Sequence, residues 1–133
     1  MIVVDTNLIV YLHLHSEQTE LAEKVFVVDP YWVAPFLWRS EFNNVLALYI
    51  RKHIFTLNEA VQTAKIVQDF MQGKEHHVPS PQILNLVSIS SCSAYDCEFV
   101  ALAQRLDVPL VTTDKQILTA FSSIAQSPKV FAN

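Results

Sequence analysis

The chain opens with Ile2-Val3-Val4-Asp5-Thr6-Asn7, in which three β-branched residues lead directly into three polar ones. A short apolar run without polar alternation predicts a strand that is buried in a sheet. Asp5 then stands where a helix N-cap is expected, before a helical stretch that runs to about Leu14. The opening therefore predicts a buried strand that passes at once into a helix, with a carboxylate at the junction.

Strands and helices alternate in the same way along the rest of the chain. We expect four further strands, at residues 31–34, 75–78, 110–111 and 130–131. The strand at 75–78 is expected to be a short edge strand. Helices are expected to begin near Ser16, Pro35, Thr56, Ser80, Ser93 and Asp114. Because the strands are short apolar runs, this order indicates an α/β domain whose mainly parallel sheet is covered on both faces. One domain is expected over residues 1–133.

Local signals support these helices. The segment Thr56-Leu57-Asn58-Glu59 has the T-x-x-E pattern of a capping box, and Gly73 is suited to stop the helix that it opens. Apolar residues spaced three and four apart predict which helix faces turn inward. The inward residues expected in three helices are Leu21, Val25 and Val28; Phe42, Val45, Leu46 and Tyr49; and Ile83, Leu84 and Val87.

Composition excludes several classes of protein. Of the 133 residues, 51% are hydrophobic and 17% charged, which is too apolar for a disordered chain. No apolar run approaches the roughly 18 residues of a membrane span, and no basic segment precedes Ile2, so neither membrane association nor a signal peptide is expected. Gly73 is the only glycine, which excludes the glycine-rich phosphate loops of common nucleotide-binding folds.

Cysteine and histidine do not indicate a metal site. Cys92 and Cys97 are too few for a disulfide framework, and their spacing matches no ligand pattern. We expect reduced thiols and a cytoplasmic location. The His76-His77 doublet would direct its rings to opposite faces of a strand, so a surface or core role is favoured over metal binding. The net charge of −4 lacks the basic excess that is typical of nucleic-acid binders.

Four acidic residues occupy positions that suit a site. Asp5 and Asp114 directly follow predicted strands, so their carboxylates emerge at the same sheet edge if the strands are parallel. Asp96 lies in the first turn of a predicted helix, and Glu41 borders the apolar face of another. Asp5 and Asp114 have an alternative role as simple helix caps, and Asp96 has one as the acidic partner of Ser93 in a capping box.

Glu41 has an alternative as well, because an ion pair with Arg39 or Arg51 would account for a carboxylate at the border of the core. If the four carboxylates converge, each pair at about 5 Å repels by roughly 3 kcal/mol at an effective dielectric constant near 20. Oxygen ligands of this kind suit one or two Mg²⁺ or Mn²⁺ ions. Such a site supports phosphoryl chemistry with a metal-activated water.

Four motifs occur in order along nearly the whole chain. They are Ile2-Val3-Val4-Asp5-Thr6-Asn7; Ser40-Glu41-Phe42; Ser93-Ala94-Tyr95-Asp96 with Ala101-Leu102-Ala103; and Leu110-Val111-Thr112-Thr113-Asp114. Together they resemble the PIN domain family, and more narrowly the toxin nucleases of VapBC-type toxin–antitoxin pairs. Four motifs in order are far more specific than one.

The resemblance implies a three-layer α/β/α sandwich and metal-dependent endonuclease action on RNA that leaves a 5′-phosphate and a 3′-hydroxyl. It also implies a homodimer, and an antitoxin whose C-terminal segment enters the acidic groove. The acidic quartet of the family, which would be both catalytic and metal-binding, matches Asp5, Glu41, Asp96 and Asp114. The supporting polar residues match Thr6, Asn7, which would orient the first aspartate, and Thr112. The plausible phosphate contacts are Arg39, Arg51, Lys52 and Lys115.

The sequence departs from the family pattern at Asp107, where relatives commonly have a glycine, and we expect this to affect the turn before Leu110. A non-cleaving PIN domain that binds RNA or protein is the main alternative. A phosphatase with a nucleophilic aspartate is disfavoured because Asn7 occupies the second position of its D-x-D pair. A receiver domain needs a phosphoacceptor aspartate at the end of its middle strand, near position 53. This class is disfavoured because no aspartate lies near that position.

Aromatic residues cluster around the second predicted strand. Tyr31, Trp32, Phe36 and Trp38 are expected to pack in the core at the strand ends. An exposed part of the cluster would instead form a surface for a dimer or an antitoxin.

Overall fold

A computed structural model describes residues 1–133 and shows a central five-stranded sheet. All strands are parallel, and their spatial order is β3-β2-β1-β4-β5. The strands are β1 (Ile2–Val4), β2 (Trp32–Pro35), β3 (Glu75–His76), β4 (Leu110–Val111) and β5 (Ala125–Gln126).

Eight helices accompany the sheet, and the architecture is the expected α/β/α sandwich. They are α1 (Thr6–His13), α2 (Thr19–Val28), α3 (Trp38–Arg51), α4 (Leu57–Met71), α5 (Ser80–Ser88), α6 (Ala94–Leu106), α7 (Lys115–Ala120) and α8 (Pro128–Phe131). None of them combines the length and the apolar character that crossing a bilayer requires.

Strand β1 lies in the middle of the sheet and decides where a site can form. Val3 pairs with Val33 of β2 on one side and with Leu110 of β4 on the other. The chain order of the strands therefore reverses at β1, and ligands of open parallel sheets bind beyond such a reversal. The side chains of Ile2, Val3 and Val4 are fully buried, so the core fixes the position of Asp5 at the carboxyl end of β1.

Several predicted local signals are confirmed. Asp5 caps α1, and Thr56 and Glu59 form both hydrogen bonds of a capping box at the start of α4. Gly73 follows the end of α4 with φ of +78°, a conformation that favours glycine. Asp107 ends α6 in the left-handed conformation, with φ of +54°, which is the turn that the departure at this position was expected to affect.

Two predicted helix starts are wrong. Ser16 does not cap α2, which begins at Thr19; the Ser16 amide instead donates to the Thr19 hydroxyl within a turn. Pro35 is the last residue of β2 rather than the first turn of a helix, and α3 begins at Trp38. Proline is tolerated at the end of a strand as well as at a helix start, so its position alone did not distinguish them.

The predicted final strand is also wrong, because Val130 and Phe131 lie in α8. Ser127 caps this helix and Pro128 occupies its first turn, a combination that starts helices. The last strand is Ala125–Gln126 instead. Two residues expected to face inward are exposed: Val28, at the very end of α2, and Leu84, because α5 turns Ile83 and Leu86 to the core.

Candidate active site

The structure brings all four candidate carboxylates to one small cavity, of about 80 Å³, at the carboxyl edge of the sheet. Each comes from a different element: the end of β1, the first turn of α3, the first turn of α6 and the N-cap of α7. The residues that line the cavity are Asp5, Thr6, Asn7, Glu41, Asp96, Phe99, Thr112, Asp114 and Ile117.

Asp5 is held by several donors and is buried. Its Oδ1 accepts from the backbone N–H of Leu8 at 3.0 Å, which caps α1. Its Oδ2 accepts from the Thr112 hydroxyl at 2.7 Å and from the Thr113 backbone N–H at 3.0 Å. The carboxylate therefore joins the ends of β1 and β4, and its orientation is fixed by the fold.

Glu41 has one hydrogen-bond donor. The Thr6 hydroxyl, at the start of α1, donates to its Oε1 at 2.6 Å. This bond links α1 to α3 across the cavity and aims the glutamate toward the end of β1. Its second oxygen is available to a ligand.

Asp96 and Asp114 both stand at helix starts, but only one of them is a cap. Oδ1 of Asp114 accepts from the Ile117 backbone N–H at 2.9 Å and so caps α7. At α6 the cap is Ser93, whose hydroxyl accepts from the Asp96 backbone N–H at 3.1 Å. The carboxylate of Asp96 is thereby left free of the capping role and faces the cavity.

Burial and mutual repulsion oppose ionisation of this cluster. Burial raises the pKa of Asp5, although the bonds from Thr112 and Thr113 partly offset the effect. Burial also raises the pKa of Glu41, and the charges of Asp96 and Asp5 raise it further. The pKa of Asp96 is raised by burial and then by the charge of Asp114. A positive charge placed in the cavity would lower the pKa values of all three carboxyl groups and so favour their ionised forms.

No lysine or arginine lines the cavity. The predicted alternative that Arg39 pairs with Glu41 is wrong, because Arg39 forms a two-bond ion pair with Glu75. Its Nη2 donates to Oε1 at 2.7 Å and its Nε donates to Oε2 at 2.5 Å. Arg51 forms no ion pair with Glu41 either, so the protein does not neutralise the carboxylates with its own cations.

Comparison with known families agrees with this arrangement. The sequence profile of the PIN domain matches residues 2–124, which is most of the chain and includes all four acids. The chain belongs to the PIN domain family. PIN domains are typically metal-dependent nucleases. No curated protein sequence matches the chain.

The donor set of this PIN domain fits a hard divalent cation such as Mg²⁺. Its cavity is lined by carboxylate and hydroxyl oxygens and by one amide, with no thiol, imidazole or cation among them. No three acidic, histidine or cysteine side chains lie close enough together to hold an ion as they stand. The residues therefore match such an ion in chemistry, and the carboxylates line the cavity without closing on one point.

The supporting residues of the PIN domain are placed differently from expectation in one respect. Thr112 contacts Asp5 directly, whereas Asn7 does not: its Nδ2 donates to the Thr113 hydroxyl at 3.4 Å. Thr113 was missed by sequence reasoning, although it donates to Asp5 through its backbone N–H and lies next to Thr112. Its hydroxyl is also 3.5 Å from Oδ2 of Asp5, so the second threonine of the Thr112-Thr113 pair was the available sequence signal, whereas the shorter bond comes from the backbone and is independent of residue type.

Sequence reasoning also missed Glu98, which lies two residues after Asp96 in α6. Burial raises the pKa of Glu98 and the charge of Glu41 raises it further, although the charge of His77 acts the other way. Glu98 does not line the acidic cavity. The signal was an acid two residues after Asp96 within the same motif.

The remaining candidates lie outside the cavity. Arg39, Arg51, Lys52 and Lys115 do not line it. The histidine doublet forms no metal group: the ring of His77 packs on Phe36 with centroids 5.0 Å apart. Cys92 and Cys97 are free, buried thiols.

Proposed function

We propose that this PIN domain, as one unit over residues 1–133, is a metal-dependent endoribonuclease. In this proposal the carboxylates of Asp5, Glu41, Asp96 and Asp114 would hold one or two Mg²⁺ or Mn²⁺ ions, and a water molecule would hydrolyse phosphodiester bonds of RNA at this site. One observation carries the proposal: four carboxylates from four separate elements line one cavity, and no protein cation neutralises them.

Each residue has a role that follows from its contacts. Thr112 and Thr113 fix the rotamer of Asp5, and Thr6 fixes that of Glu41, so these two carboxylates are pre-oriented. Asp96, in the first turn of α6, and Asp114, at the N-cap of α7, add two more negative charges to the cavity. A bound divalent ion supplies an activated water and stabilises negative charge on the phosphate oxygens.

We further propose that the chain is the toxin of a type II toxin–antitoxin pair. The support is the resemblance of its four motifs to VapBC-type toxin nucleases. The expected partners are RNA, a cognate antitoxin and a second copy of the chain. The aromatic cluster supplies part of a surface for a protein partner: Trp32 and Trp38 are buried as expected, whereas Tyr31 and Phe36 are exposed. A small reading frame for a DNA-binding antitoxin directly upstream would support this assignment.

Cleavage of RNA by matched variants tests the nuclease. Wild-type protein with Mn²⁺ should cut a mixed-sequence single-stranded RNA to products with a 5′-phosphate and a 3′-hydroxyl. Asp96→Asn and Glu41→Gln should each lower the rate by at least about 100-fold, because each removes a charged ligand but keeps the side-chain shape. Rates are measured on labelled RNA, with circular dichroism to check that each variant folds.

The control is Asp69→Asn on α4, an exposed acid that does not line the cavity. This variant loses the same charge and should cut at the wild-type rate. Full activity of both cavity variants would remove Glu41 and Asp96 from the mechanism. Equal loss in the control would show that net charge, and not the cavity, governs the rate.

A second candidate function is a non-cleaving PIN domain that binds RNA or protein. The observation that favours it is that the carboxylates do not form a closed ion-binding group. Calorimetric titration with Mn²⁺ separates the two functions. The nuclease should show a binding site that Asp96→Asn weakens, whereas a binding module should show no site that depends on the quartet.

A further inference from the structure

A second cavity adjoins the acidic one and is not used by the chemistry proposed above. Its volume is about 580 Å³, and it runs between α3 and the start of α6. We call it the α3–α6 groove. The groove is lined by polar and apolar side chains, which are Thr6, Asn7, Leu37, Ser40, Glu41, Asn44, Val45 and Tyr95.

The chemistry of the α3–α6 groove differs from that of the acidic cavity. Glu41 is its only charged residue, and this residue lies at the boundary that the two cavities share. Ser40 and Asn44 are exposed and offer hydroxyl and amide groups along the same side of α3. With no lysine or arginine, the groove is unsuited to a phosphate. Neutral donors and acceptors instead suit the hydrogen-bonding edge of a nucleobase.

Tyr95 gives the groove an aromatic surface. Its side chain is 64% exposed, although it belongs to a helix whose neighbouring residues Cys97 and Phe99 are buried. Tyr95 lines the groove, and the groove shares Asn7 and Glu41 with the acidic cavity, so the ring lies in the space that adjoins that cavity. Leu37 and Val45 add apolar surface to the groove beside its polar groups. An exposed aromatic ring in a groove of this mixed kind is a surface on which a base of single-stranded RNA stacks.

We propose that the α3–α6 groove binds the nucleobase next to the bond that is cut. Tyr95 stacks on this base, and Ser40 and Asn44 select it through its hydrogen-bonding edge. The inference rests on the proposed ribonuclease function and adds a specificity-determining site to it. Because Thr6, Asn7 and Glu41 line both cavities, a nucleotide whose phosphate lies at the carboxylates has its base within reach of the groove.

The size of the groove agrees with this occupant. Pockets that enclose small molecules have volumes of about 300–1,000 Å³, whereas the acidic cavity, at about 80 Å³, is too small for a base. We therefore expect the phosphate of the nucleotide to lie at the acidic cavity and its base to lie in the α3–α6 groove.

Binding to an RNA that lacks one base tests the proposal without requiring cleavage. The protein is the full chain with Asp96→Asn, and the probes are single-stranded RNAs of one sequence, either intact or with one abasic nucleotide placed at each position in turn. The position at which the abasic nucleotide weakens binding most marks the base that lies in the groove. Removing the base should weaken binding about tenfold, and so should Tyr95→Ala on the intact RNA. Combining the two changes should weaken binding little beyond either one, because both remove the same stacking contact.

Matched variants sharpen the result. Tyr31→Ala removes another exposed tyrosine, 46% exposed and outside the groove, and should leave the loss caused by the abasic nucleotide unchanged. Tyr95→Phe keeps the ring and should restore the affinity that Tyr95→Ala loses. Asn44→Asp exchanges amide donors for acceptors and should change which base is preferred beside the cut, read by sequencing the products from a randomised RNA.

The outcomes separate the two proposals. If the wild type cleaves RNA but Tyr95→Ala and the abasic nucleotide act additively, and Asn44→Asp leaves the base preference unchanged, the groove proposal is overturned and the nuclease stands. The groove would then be assigned to another occupant, such as a protein segment. If no cleavage occurs but the binding changes are non-additive, the nuclease fails while the groove remains a base-binding site.

Discussion

Glu41 and Glu75 lie in neighbouring regions of the molecule, yet their carboxyl groups respond to the fold in opposite ways. Burial and the charges of Asp96 and Asp5 raise the pKa of Glu41. Glu75, at the start of β3, is also desolvated, but hydrogen bonds from Arg39 and Trp38 lower its pKa below the ordinary value. The difference is the presence of a protein cation in one region and its absence in the other.

The position of Arg39 explains this difference. It precedes Glu41 by two residues on α3, and residues with that spacing do not share a helix face. Its guanidinium is held at Glu75 by two hydrogen bonds, so it is committed to the edge strand. The fold thus satisfies a structural carboxylate with a protein cation and leaves the acidic cavity to neutral donors. This separation is what a site that binds an external cation requires.

The largest stability effect is expected for a carboxylate held by neutral donors. Asp5→Ala removes the cap of α1 and leaves the Leu8 and Thr113 N–H groups and the Thr112 hydroxyl without their acceptor. We expect the free energy of unfolding to fall by about 2–3 kcal/mol, measured by urea denaturation. Asp114→Ala, which removes a single capping bond, is the matched control and should cost about 1 kcal/mol. Equal losses in the two variants would show that Asp5 does not organise the junction of β1 and β4.

A smaller effect is expected for the ion pair at the edge strand. Arg39→Ala leaves the buried carboxylate of Glu75 with Trp38 as its remaining side-chain donor. We expect a loss of about 1–2 kcal/mol, less than for a fully buried pair because the side chain of Arg39 is partly exposed.

Glu41→Gln is the variant to compare with Arg39→Ala. It keeps an acceptor for the Thr6 hydroxyl and removes one negative charge from the acidic cavity. Without divalent ions this variant should be at least as stable as the wild type. Thermal denaturation in EDTA checks both. A loss in Glu41→Gln as large as that in Arg39→Ala would contradict the contrast between the two regions.

The smallest effect is a dependence of stability on pH. The folded-state pKa values of Glu41 and Asp96 lie above their ordinary values of 4.5 and 3.8, so the native state binds more protons than the unfolded state in that range. Stability from these groups is therefore present at low pH and is lost as the pH rises through the raised pKa values. Glu75 has the opposite sign, because its stabilising contribution is lost as the pH falls through its lowered pKa.

Urea denaturation in EDTA at several pH values between about 4 and 7 measures this dependence. Asp96→Asn should reduce the decline seen in the wild type toward neutral pH, whereas the exposed control Asp69→Asn should not. Adding Mn²⁺ should restore stability to the wild type at neutral pH, because an ion that binds only the folded state stabilises it. A wild type whose stability rises steadily over this range, and does not respond to Mn²⁺, would contradict the view that the cavity carries excess charge.

Much of the fold was predictable because its signals are local. The apolar run Ile2-Val3-Val4 becomes the central strand, and the capping box at Thr56 and the stop at Gly73 delimit α4. These features depend on residues within a few positions of one another, so their pattern is complete in the sequence. The four candidate acids could be proposed for the same reason, since three of them follow a strand or stand at a helix start and Glu41 borders the apolar face of a helix.

The wrong predictions share another cause. Pro35 suits a strand end as well as a helix start, and packing of β2 between β1 and β3 decided between them. Leu84 continues an apolar pattern, but the rotation of α5 turned its neighbours inward instead. In both cases the local pattern permits two arrangements, and contacts with distant parts of the chain select one.

By itself the sequence determined which residues can carry charge and where strands pass into helices, because capping, turn and strand preferences act over a few residues. Tertiary structure alone decided that Arg39 turns to Glu75, that the Thr113 backbone binds Asp5, and that a neutral groove lies beside a charged cavity. These depend on distances between elements that are far apart in the chain, and such distances are set by the packing of helices on the sheet, which no local pattern encodes.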